Sequence, residues 1–97
     1  MNYWLHPEAE ADLRDAAQFY RDRAGSALSQ AFLAEFEHSV GLLLLHPRLG
    51  ALWRHGKRRF LTRRFPFSIV YTIAGDQLRV LAVAHHSKRP GYWRGRK

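Results

Sequence analysis

PEAEADLRDAAQFYRDRAGSALSQAFLAEFEHSVGLLLLHP, residues 7–47, is the stretch that decides the fold. Ala9, Leu13, Ala16, Ala17 and Tyr20 recur at intervals of three and four while Glu8, Asp12, Asp15 and Asp22 fall elsewhere, the period of an amphipathic helix. Pro7 is well tolerated in a first helical turn, and acids crowd the first two turns, where the helix dipole favours them. Gly25 supplies a stop, and Ser26 reads as the N-cap of a second helix. There Leu28, Phe32, Phe36, Val40 and Leu43 make one apolar stripe, broadened by Leu33 and Leu44, until His46-Pro47 ends the pattern. Helices joined by so short a link pack as an antiparallel hairpin.

Outward from this hairpin the period changes. Residues 2–6 are aromatic and apolar and read as a strand ahead of Pro7. Residues 48–56, with Gly50 and Gly56, read as a loop in which Ala51-Leu52-Trp53 can form a short edge strand. Arg58 to Arg64, Phe67 to Ile73 and Leu78 to Ala84 are strand-like runs, the last two joined through a turn at Gly75-Asp76. Alternation in the last run puts Leu78, Val80, Ala82 and Ala84 on one face and Arg79, Leu81, Val83 and His85 on the other. Because Arg79 resists burial, the first set is expected to meet the helices. The tail from Ser87 to Lys97 reads as too polar and basic to add much core. The order β-α-α-β-β-β gives an α+β fold of two layers, with the helical hairpin on one face of a mainly antiparallel sheet. A chain of 97 residues has room for one domain, spanning 1–97.

Composition narrows the function. With 46% apolar residues and 13% aromatics the chain can fill a core, which excludes global disorder. It has no cysteine, so it can hold neither a disulfide nor a thiolate site, in keeping with a reducing cytoplasm. The N-terminus has no basic start and no long apolar stretch, and the longest nearly apolar run, Val40 to Leu45, is far shorter than the about 20 residues of a membrane span. A soluble cytoplasmic protein with no membrane partner is expected. Charge is divided along the chain: the first 38 residues carry seven acids against three arginines, net −4, and the rest carries 13 basic residues against Asp76, net +12. Such a molecule presents a cationic face to an anionic partner.

Two constellations can carry chemistry. In the basic run Lys57-Arg58-Arg59-Phe60-Leu61-Thr62-Arg63-Arg64, period two sends Arg59 and Arg63 to one face. Guanidinium pairs bind phosphate or carboxylate bidentately; the bland reading is an edge strand kept soluble by charge. The second is His85, His86, Lys88, Arg89 and Tyr92 at the end of the last strand. Histidines among cations are pushed toward the neutral form of a general base, and Tyr92, Lys88 and Arg89 are close enough in sequence to hold or protonate a ribose-phosphate. Equally, one histidine ends the strand, the aromatics pack on the sheet and the cations are solvated. His-His without a nearby acid is a poor metal signal, so neither metal nor cofactor is expected.

The strand before Pro7-Glu8-Ala9-Glu10-Ala11-Asp12-Leu13, Phe19-Tyr20, Leu45-His46-Pro47-Arg48-Leu49-Gly50, Arg59-Phe60, Phe65-Pro66-Phe67-Ser68-Ile69-Val70-Tyr71 and Val83-Ala84-His85 together resemble the RelE/ParE toxin superfamily over nearly the whole chain. The resemblance implies a growth-inhibiting toxin of a bacterial type II toxin–antitoxin (plasmid stabilisation) module, neutralised by a cognate antitoxin that wraps it. An acidic antitoxin suits the basic half. Two mechanisms follow. ParE-like members inhibit DNA gyrase by binding; whichever the target, Arg59, Arg63, Lys88 and Arg89 are the contacts expected here. RelE-like members are metal-free endoribonucleases cutting mRNA on the ribosome, which assigns catalysis to His85, His86 and Tyr92. Only Lys57 precedes the basic strand where several ribosome-dependent members carry a lysine pair, and this favours the gyrase reading. A third reading is a basic nucleic-acid-binding module without toxicity.

Overall fold

The computed structural model describes residues 1–86 and 92–96. A strand β1 (Asn2–Leu5) leads into the helices α1 (Pro7–Ala24) and α2 (Ser26–Leu45); β2 (Ala51–Leu52), a 3-10 turn at Arg54–Gly56, β3 (Arg58–Leu61), β4 (Phe67–Ala74) and β5 (Gln77–His85) follow. The strands form one sheet in the order β1-β5-β4-β3-β2, with β1 parallel to β5 and the other pairs antiparallel. The expected α+β layering holds, and Ala51-Leu52 is the short edge strand.

Local chemistry sets the hairpin. His6 caps α1 through Nδ1, which accepts the Glu8 N–H at 3.0 Å. Gly25, with φ 93°, lies where a side chain would strain the backbone; it closes α1 and itself stands at the N-cap of α2. Ser26 is therefore the first helical residue rather than the cap. The buried Ser29 hydroxyl donates to the Ala17 carbonyl at 2.7 Å and pins one helix to the other.

Between helices and sheet lies the main core: Ala9 and Ala17 from α1, Phe32, Phe36, Val40 and Leu43 from α2, and Phe67, Ile69, Tyr71, Leu78, Val80 and Val83 from the sheet. Tyr20, Phe32, Phe65 and Phe67 form a ring cluster with centroids 4.7–6.2 Å apart. Such pairs add about 0.5–1.5 kcal/mol each beyond the burial of their area.

Three expectations change. First, Val70 pairs with Ala82 but Tyr71 with Val80, so Leu81 is an extra residue in β5. Leu78 and Val80 meet the helices as alternation requires, but past this bulge the faces exchange, and Ala82 and Ala84 point away while Val83 faces the main core. Second, β3 stops at Leu61. The Thr62 hydroxyl lies 2.6 Å from the Phe65 carbonyl and 3.1 Å from that of Phe67, closing a turn that buries Phe65. Arg63 is thus outside the strand, and the alternation that paired it with Arg59 does not reach it. Third, the tail does contribute core: Trp93, 1% exposed, packs with Val70, Ala82 and Ala84 on the sheet face opposite the helices, with Trp53 and Tyr92 alongside.

Candidate functional site

Beyond Val80, no strand among the described residues flanks β5 on its β1 side, because β1 ends at Leu5 opposite Val80. Asp12 of α1 fills that gap. Its Oδ2 accepts the Val83 N–H at 3.2 Å, the Tyr92 hydroxyl at 3.1 Å and Arg96 Nη1 at 2.7 Å. Arg96 also donates to the Leu81 carbonyl at 3.0 Å and pairs with Glu8 at 3.4 Å. One carboxylate therefore covers an open sheet edge and ties the tail to α1. Charge-assisted bonds of this kind are among the stronger ones in proteins.

Above this latch a cleft of ≈ 340 Å³ runs between α1 and β5, with Ala16, Phe19, Phe67 and Val83 as its apolar lining and Asp12, Asp15, His85 and Tyr92 as its polar groups. Phe19 is half exposed. His85 stands edge-on to Phe67 at 5.0 Å. Burial, and then the Asp12 carboxylate, push the Tyr92 hydroxyl well above the usual tyrosine range. That hydroxyl is held as a neutral donor.

The structure brings His85 and Tyr92 together on this cleft and separates the rest. His86 Nε2 lies 3.1 Å from Ser68 Oγ, on the face away from the helices. Arg59 pairs across the sheet with Val70 and so shares that far face, its guanidinium 4.3 Å above the Trp53 ring. Arg63 follows β3, its backbone N–H donating to Glu35 of α2 at 3.3 Å. Lys88 and Arg89 lie outside the described residues. Among the described residues no group of three or more His, Asp or Glu is placed to hold a metal ion, and no helix is long and apolar enough to cross a membrane.

The sequence gives Asp12, Phe19 and Arg96 no site role, and it offers packing of Tyr92 and Trp93 on the sheet only as the alternative to chemistry, the alternative that the structure shows for Trp93. Asp12 had a readable signal, since it lies one turn from both Ala9 and Ala16, inside the apolar stripe of α1, and an acid there needs donors. Trp93 had one too: so large an apolar side chain is seldom left in water, even in a cationic tail.

The charge division of the sequence becomes a division of layers. Seven of the eight acids are on α1 and α2, the eighth, Asp76, is in the β4–β5 turn, and none is on a strand.

A family model described as the ParE toxin of the type II toxin–antitoxin system parDE matches residues 3–90. A solved structure described as the chromosomal ParDE TA system from P. aeruginosa superposes with a TM-score of 0.79 at 20% identity, covering 88% of this chain and 95% of that one. No curated protein matches.

Proposed function

The chain belongs to the ParE toxin family of type II toxin–antitoxin systems, and from that premise we propose that it arrests growth as a single cytoplasmic domain by binding DNA gyrase, not by cutting RNA. One observation carries this choice. Among the described residues, His85 and Tyr92 line a cleft whose other polar groups are the carboxylates of Asp12 and Asp15, while Arg59 stands on the opposite side of the sheet. RNA cleavage needs acid–base groups and phosphate-holding cations around the same phosphate. Here two carboxylates would meet it instead, and the tyrosine proton is committed to one of them. A cleft with an exposed Phe19 and an apolar floor suits protein contact.

The cognate antitoxin, in this reading, is acidic and disordered when free, and it orders on the toxin, as polyanionic segments do on a strongly cationic partner. Inducing the protein in a bacterium tests the choice. Gyrase binding triggers the DNA-damage response with mRNA intact, and supercoiling by purified gyrase falls when the protein is added. Codon-phased mRNA cleavage without that response contradicts the proposal.

A further inference from the structure

The sheet face away from the helices holds an array of arginines on indole rings, and of the target contacts expected from the sequence it includes Arg59. Cross-strand pairing of Arg79 with Thr72 and Trp4, and of Arg59 with Val70, puts both arginines on this face. Each lies over an indole: Arg79 is 3.9 Å from the Trp4 ring centroid and Arg59 4.3 Å from that of Trp53. Arg79 is held further by Gln77 Oε1 at 2.8 Å. Around Trp53 and Trp93, whose rings are 5.3 Å apart, stand Arg54 and Lys57, each 5.8 Å from a ring centroid. Arg59 and Arg79 are two strands and two residues apart, about 12 Å by sheet spacing and strand rise.

We propose that this face docks on the phosphate backbone of duplex DNA. The partner must be a polyanion, because the cations are grouped and no strand carries an acid. A duplex is favoured over a single strand because single-stranded nucleic acid is gripped by stacking bases on open aromatic faces. Here the rings are already engaged: Trp4 and Trp53 carry guanidinium groups, and Trp93 is buried. The aromatics serve to fix the cations. A duplex is favoured over an acidic peptide because its phosphates form a fixed array, one charge per about 1.7 Å of axis, so a fixed cation array meets several at once. A flexible peptide loses conformational entropy on meeting the same array.

The test uses the purified full-length chain and a short labelled DNA duplex, with fluorescence anisotropy followed over a range of salt and no gyrase present, so that it is independent of the gyrase reading. The double variant Arg59→Gln/Arg79→Gln is expected to weaken binding at least about tenfold and to flatten the plot of log affinity against log salt by about 1.8, since two phosphate-neutralising cations are removed. Arg14→Gln/Arg21→Gln, which removes the same charge from the helix layer, is expected to change affinity by about twofold or less. If the first pair fails to fold, as a thermal melt reports, Arg59→Lys/Arg79→Lys takes its place; it keeps the salt slope and weakens binding through lost bidentate geometry. Three results overturn the proposal: equal losses from the two layers, equal competition by poly-glutamate at matched charge, or preference for a single strand of the same length.

Discussion

The two sides of the sheet are built by different means. On the helix side, two long amphipathic elements bring a wide apolar core together, and its side chains are spread over α1, α2 and the strands they cover. On the far side, a buried tryptophan and a few small strand residues form a core that depends on the tail staying in place. The tail is held by polar bonds that converge on Asp12, in the other layer. The small core is therefore only as stable as a charged contact outside it. The same difference explains why acid–base residues and cations part company: the bulge at Leu81 changes which β5 side chains face the cleft.

The largest expected effect is from Trp93→Ala. If the tail is a true second core, the loss is about 3–5 kcal/mol, the range for a buried aromatic and similar to that of Phe32→Ala in the main core. Urea denaturation of the two variants makes the comparison directly. A cost below about 1 kcal/mol for Trp93→Ala, well under that range, would show that the tail only rests on the sheet.

Much of the main core was legible because the stripe from Leu28 to Leu43 has one clear period and ends at proline. The far side was not. Leu81-Ala82-Val83-Ala84 is apolar at every position, so nothing in that run marks where alternation flips, and a bulge there is invisible to periodicity. Arg63 looked like a strand residue because the run is basic throughout, while the turn that removes it depends on Thr62 reaching two carbonyls. The cleft joins α1 to the end of β5 and the tail, so Asp12 meets residues 71 to 84 positions later in the chain. No local pattern encodes that meeting.

A smaller effect comes from Asp12→Asn. The amide keeps the shape but loses the charge that Arg96 and Tyr92 address, and a cost of about 1.5–3 kcal/mol is expected for charge-assisted bonds in a largely buried site. Faster amide hydrogen exchange at Val83 and Trp93, with α2 unchanged, locates the loss in the latch.

The smallest effect depends on pH. Tyr92 has a raised folded pKa, through burial first and Asp12 second, so its contribution is complete below the ordinary tyrosine value of about 10 and is lost as pH rises through its folded value. Stability therefore declines at alkaline pH. Tyr92→Phe makes that decline shallower without abolishing it, since burial also raises Tyr3, Tyr20 and Tyr71. An unchanged alkaline slope in the variant contradicts the assignment to Tyr92.

Growth arrest through contact, rather than through acid–base chemistry, is the central claim. The triple variant His85→Ala/His86→Ala/Tyr92→Phe, induced in a bacterium with soluble yield followed alongside growth, addresses it directly. Arrest that persists, weakened no more than the variant's affinity for gyrase, is the predicted result. Arrest abolished in a soluble variant that still binds ribosomes would contradict the claim and return the cleft to a nuclease role.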